Sequence, residues 1–205
     1  MNPLLLVAAL ALAGPDEALL AKGEIVTTLR KVAGNDVEEA TARAVIEAPP
    51  ALVWSIVSDC ANYQNTMPSI SASSVDKVEA PLPSDGPLAT EVRRCRIVAD
   101  LPFPFADLLS VTRSVHTIAE GKMWRRQWKM IEGDYYHNEG DWTVVPWGDD
   151  GMRSLVTYRI QASPKVPLPS SMLASIQRNK LPEVMVKLRA TVAARTARPV
   201  PAAAR

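Results

Sequence analysis

Val37 to Asp59 reads VEEATARAVIEAPPALVWSIVSD, and the change of period at Pro49-Pro50 inside it decides the fold class. Before the proline pair, Ala42, Ala44 and Ile46 recur at every second residue, the spacing of one face of a strand. After it, Leu52, Val53, Ile56 and Val57 recur at helical spacing. Proline suits the first turn of a helix because its missing N–H would have no intrahelical partner there. A strand therefore passes directly into a helix ending near Asp59, and a second short helix is predicted from Ala61 to Thr66, stopped by Pro68. On the other side, residues 24–33 (EIVTTLRKVA) carry β-branched residues and stop at Gly34-Asn35-Asp36, which predicts a strand paired with the first.

Downstream the texture becomes strand-like. The runs are 71–79, 88–99, 106–119, 122–132, 139–146 and 152–162, broken by Pro81 to Pro87, Pro102-Phe103-Pro104, Gly121, Gly133 and Trp147 to Gly151. Six consecutive strands with short links make an antiparallel meander. Pro164, Pro167 and Pro169 form a stiff connector. The last element runs from Ser170 to about Arg195, with Leu173, Ile176, Leu181, Val184, Leu188 and Val192 near a three- to four-residue repeat. Pro182 should kink this helix or begin a second segment. The order predicts an α+β fold: a curved antiparallel sheet wrapped around a long C-terminal helix, with two short helices after the first core strand. A helix across a curved sheet encloses a concave space unless large side chains fill it.

The chain has 205 residues, enough for one ordinary domain with terminal extras. Its 23 Lys+Arg against 22 Asp+Glu leave no excess of positive charge for a nucleic acid partner. Leu4 to Ala13 is a ten-residue apolar run closing on Ala11-Leu12-Ala13, the pattern of a cleaved signal peptide over residues 1–13. It is too short to span a bilayer. Cleavage before Gly14 would leave a ligand-binding domain over 14–197 in the periplasm or outside the cell, and residues 198–205 (RPVPAAAR) read as a disordered tail. The absence of a span still allows transient contact with a membrane surface. Cys60 and Cys95 are the two cysteines; spacing alone cannot decide between a disulfide and two buried thiols.

Val45-Ile46-Glu47-Ala48-Pro49-Pro50-Ala51-Leu52-Val53-Trp54, followed by Asp59, Tyr63 and Met67-Pro68, resembles the opening of the START-like, or SRPBCC, superfamily, in its coenzyme Q-binding and polyketide cyclase/dehydrase branch. Glu132-Gly133, Gly140-Asp141-Trp142, Tyr158, Pro167-Leu168-Pro169 and Leu181-Pro182 are similar in type and order to that family's closing strands and helix. The resemblance covers about residues 40 to 190 and implies a helix-grip fold with a hydrophobic tunnel under the C-terminal helix. It also implies a lipid, quinone, sterol or polyketide as the occupant.

Chemistry is sparse. There is no G-x-S-x-G, H-E-x-x-H, C-x-x-C, P-loop or G-x-G-x-x-G, so no catalytic residue, metal site or cofactor is assigned. His116 shares a strand face with Ser110, Thr112 and Ser114 and reads as a strand-surface or core histidine. His137 lies among Glu132, Asp134, Glu139 and Asp141, read as a solvated turn. In Met123 to Met130 (MWRRQWKM), alternation puts Trp124, Arg126, Trp128 and Met130 on one face. A guanidinium between two tryptophans must be salt-bridged, stacked in solvent, or an anchor for a ligand's polar end; the first two are the simpler readings. With Trp54, Trp142, Tyr158, Ile176 and Leu181, these are the candidate cavity residues. The expected function is binding or transfer of a hydrophobic small molecule. A protein-interaction module with a filled cavity, or a cyclase/dehydrase-type enzyme using Arg126, Tyr135 or His137 as proton donor, are the rival readings.

Overall fold

A computed structural model describes residues 14–33, 37–166 and 179–197. The leader 1–13, the turn 34–36, Ile176 with the first half of the expected final helix, and the tail 198–205 lie outside the described residues.

The elements in chain order are α1 (Pro15–Ala21), β1 (Val26–Arg30), β2 (Glu39–Ile46), α2 (Pro50–Val57), a 3-10 turn (Cys60–Asn62), α3 (Tyr63–Thr66), β3 (Ile70–Glu79), β4 (Ala89–Ala99), β5 (Leu108–Ala119), β6 (Met123–Gly133), β7 (Tyr135–Trp147), β8 (Arg153–Pro164) and α4 (Leu181–Thr196). The eight strands form one antiparallel sheet in the order β1-β2-β8-β7-β6-β5-β4-β3. β3 to β8 are the predicted meander, and β2 closes onto β8. The chain crosses from one side of this sheet to the other between β2 and β3, through α2 and α3 on its concave face. This is the helix-grip architecture.

Ala40, Ala42 and Ala44 on the inner face of β2 carry no bulk, so α4 approaches closely and buries Leu181, Met185, Leu188 and Val192. Pro182 sits in the first turn of α4. Arg189 of α4 donates to the Val45 carbonyl of β2, at 3.0 Å from Nη2. Cys60 and Cys95 are joined in a disulfide with Cα atoms 6.2 Å apart, tying the 3-10 turn to β4.

Two expectations need correction. The segment 134–138 is not a solvated turn: β7 begins at Tyr135, and His137 lies within it. The break is Gly133, at φ 141°, whose missing Cβ would sit 2.3 Å from the Leu109 carbonyl oxygen. Asp134 then grips β5 twice, its N–H donating to the Leu109 carbonyl and its carboxylate accepting from the Leu109 N–H, both at 2.8 Å. Nor is Asp141 solvated. It is buried on the outer face between Arg125 (3.0 Å) and Arg159 (2.5 Å), in a chain of ion pairs that continues through Glu39 to Arg30. Among the described residues no group of acidic, histidine or cysteine side chains could hold a metal ion.

Residues 15–21 form a helix that the sequence reading passed over. Leu20 of α1 is fully buried with Val26 and Val45, against Trp147 and Leu155, and Asp16 pairs with Arg43 at 3.6 Å.

Candidate functional site

Strand register brings the site together. Ala42, Tyr158, Trp142, Arg126, His116 and Glu91 lie side by side in one row across β2, β8, β7, β6, β5 and β4. The neighbouring row is Ala40, Ile160, Gly140, Trp128, Ser114 and Arg93. Aromatic side chains thus meet at the centre of the concave face. Trp142 packs on Tyr158 with ring centroids 4.4 Å apart, and Tyr158 stacks on Trp128 at 5.9 Å.

Between this wall, α3 and α4 lies an inner chamber of about 140 Å³. Trp128, Trp142, Tyr158 and Arg126 line it from the sheet, Tyr63 and Met67 from the α3 side, and Val184 from α4. An outer chamber of about 280 Å³ adjoins it, bounded by Leu101 and Pro102 of the β4–β5 link and by Lys180 and Leu181 at the start of α4. The two share Ile70, Ala99, Leu108, Tyr135, Tyr158, Ile160 and Val184 as walls, so they lie side by side between sheet and α4.

Of the sequence candidates, Arg126, Trp128, Trp142 and Tyr158 therefore line the inner chamber and Leu181 the outer one. Three others do not. Trp54 packs edge-on against His116 with ring centroids 5.1 Å apart, outside both chambers. Trp124 is solid core at the far end of β6. Met130 is half-buried and lines neither chamber.

The polar groups sit at the inner end. Arg126 is 2% exposed. Its Nη2 donates to Ser114 Oγ at 2.8 Å and touches Cys95 Sγ at 3.6 Å, and its Nη1 donates to Tyr63 Oη at 3.2 Å. The guanidinium carbon stands 5.3 Å from the ring centroids of both Tyr63 and Trp128. Its Nε has no hydrogen-bond partner, and no carboxylate pairs with it among the described residues. Both simpler readings of this arginine, an internal salt bridge and a solvent-facing stack, are thus overturned. The inner face of β5 adds Ser110, which accepts from Asn138 Nδ2 at 3.2 Å, and Thr112, whose buried hydroxyl is unpartnered. Trp128 is fixed by an Nε1–H bond to Asn138 Oδ1 at 3.1 Å.

Titration behaviour follows from burial. Desolvation holds the hydroxyls of Tyr63 and Tyr158 above the ordinary phenol range and pushes Tyr135 up to about 12. Desolvation, helped by the positive charges of Arg126 and Arg93, pushes His116 down to about 3, so its imidazole is neutral. Tyr63, Met67, Ser110, Thr112 and Asn138 are site residues that sequence reasoning did not single out as cavity lining. The hydroxyl face of β5 was visible in the sequence, but a polar strand face normally looks outward.

The model of the family described as polyketide cyclase / dehydrase and lipid transport matches residues 46–189. No curated protein matches the chain in sequence. Among solved structures, a STAR-related lipid transfer protein fragment from Xanthomonas axonopodis superposes with a TM-score of 0.66 at 18% identity, over 82% of this chain and 93% of that one. Human StAR-related lipid transfer protein 5 does so with a TM-score of 0.68 at 8% identity, over 85% and 84%. A START superfamily protein from Mycobacterium smegmatis gives 0.57 at 16% identity, over 76% and 97%.

Proposed function

This chain belongs to the polyketide cyclase / dehydrase and lipid transport family, and from that premise we propose that it binds and carries a hydrophobic small molecule in the tunnel between sheet and α4. The observation that carries the reading is the tunnel itself: two adjoining chambers walled by Trp128, Trp142, Tyr158, Ile160 and Val184, with hydroxyl, amide and guanidinium groups gathered at one end. An apolar pocket with a few convergent polar groups is the usual form of a small-molecule site. The open volume speaks against an interaction module whose interior is filled by its own side chains. Tyr135, pushed up to about 12, and neighbouring His116, held near 3, both lie far from neutral pH, so neither is tuned as a general acid or base. Export is part of the same reading and is supported by the disulfide, a bond that persists in oxidising compartments.

The test is uptake of the neutral probe N-phenyl-1-naphthylamine by purified protein, alongside native mass spectrometry of the protein after gentle extraction. A saturable fluorescence rise, or a co-purified apolar molecule, is the expected result. No uptake and no companion mass would overturn the carrier reading.

A further inference from the structure

Resting on the carrier reading, we infer that the cargo is an anionic amphiphile bound head-inward, its carboxylate at Arg126 and its apolar body running out past Val184. The argument starts from an imbalance. A charge removed from water is tolerated when a partner compensates it, and one left alone is strongly unfavourable. Arg126 is 2% exposed, has neutral partners only, and keeps its Nε unpartnered. It is half of a buried ion pair.

Three further observations give the other half a place and a size. Arg126 lines the inner chamber beside Thr112, a second buried polar group without a partner, so both side chains border that space. The chamber measures about 140 Å³, close to the roughly 150 Å³ of an engineered cavity that admits benzene. That suits a compact head group, not a bulky one. Adjoining it lies a space of about 280 Å³ walled mainly by apolar side chains, which suits the tail. The alternative anchor at the outer end, Lys180, is already paired with Glu183 at 2.9 Å. Because Arg126 is desolvated and held by Ser114 and Tyr63 before any ligand arrives, little ordering remains to be done on binding, and charge-assisted bonds formed there are strong.

The experiment compares decanoate with 1-decanol, equal in chain length and different in charge, by displacement of N-phenyl-1-naphthylamine. The protein should bind decanoate at least tenfold more tightly. In Arg126→Met that ratio should fall to about one. Arg126→Gln, which keeps an amide able to reach Ser114, serves the same purpose if the Met variant does not fold. Equal binding of the two chains by the unmodified protein would overturn this inference and leave the carrier reading standing. A decanoate preference that survives both substitutions would also overturn it, since the anion would then be held elsewhere. If neither chain displaces a bound probe, the inference falls; if the probe itself is not taken up and no apolar molecule co-purifies, the carrier reading falls with it.

Discussion

Gly140→Ala tests the aromatic wall at its tightest point. A Cβ on residue 140 would stand 2.1 Å from the Arg159 carbonyl oxygen and 2.5 and 2.7 Å from the Trp128 ring atoms Cζ2 and Cη2. The backbone oxygen belongs to the β7–β8 ladder, so the strand pairing must give way locally there, and the indole must move as well. Moving it breaks the Trp128–Asn138 bond, worth about 1 kcal/mol net, and the overpacking itself adds about 1–3 kcal/mol. The expected destabilisation is therefore about 2–4 kcal/mol, or a fall in Tm of roughly 4–16 °C for a domain of this size. Thermal unfolding followed by circular dichroism gives the first number, and probe uptake at a temperature where both forms are folded gives the second. Uptake should fall at least fivefold, because Trp128 is displaced into or out of the inner chamber. A variant that melts within 1 °C of the parent and takes up probe normally would refute the placement of Trp128 across Gly140, and with it the wall on which the tunnel depends.

Val184→Phe places a ring where the two chambers meet and should cut probe uptake at least tenfold with Tm nearly unchanged; undiminished uptake would place the cargo elsewhere. Reducing the Cys60–Cys95 bond frees a loop with sequence separation 35, which on chain entropy alone costs about 4 kcal/mol; denaturant titration with and without a dithiol reductant should show most of that, and coincident curves would contradict it. His116 is held near 3 when folded, mainly by desolvation, against about 6.5 unfolded. Its folded pKa is depressed, so the unfolded state binds the extra proton, and stability should decline as pH falls from about 6.5 towards 3. His116→Gln should flatten that part of the Tm–pH curve, and an unchanged slope would show that other groups carry it. N-terminal sequencing of secreted protein should begin near Gly14, whereas intact Met1 recovered from the cytosol would defeat the proposed export.

Much of the fold was legible because it is written in short-range periods. The switch at Pro49-Pro50 marks β2 and α2, and the Gly and Pro breaks mark the meander to within a few residues. Where reading failed, the deciding contact was remote in sequence. Tyr135 to Asn138 looks like a loop because polar and aromatic residues follow one another without alternation. They form a strand because Asp134 is pinned to Leu109, 25 residues away. α1 is only seven residues long, and its one buried side chain, Leu20, finds its partners on β1 and β2.

The site was harder to see for a related reason: the rule that polar strand faces look outward has a hidden premise, that the opposite face has nothing better to do with its charges. On β5 the outward face carries Arg113, bound through both terminal nitrogens to Asp85 of the β3–β4 link, whose carboxyl is thereby held down at about 2. On β6 the outward face carries Arg125, paired with Asp141, itself shared with Arg159. Those cations are accounted for by carboxylates of the chain. Arg126, one residue along from Arg125, faces the other way and meets Ser114, Tyr63 and a disulfide sulfur, all neutral. Adjacent arginines on one strand thus divide the labour of the sheet, the outer one stabilising it through the chain's own anions and the inner one buried with no carboxylate partner among the described residues.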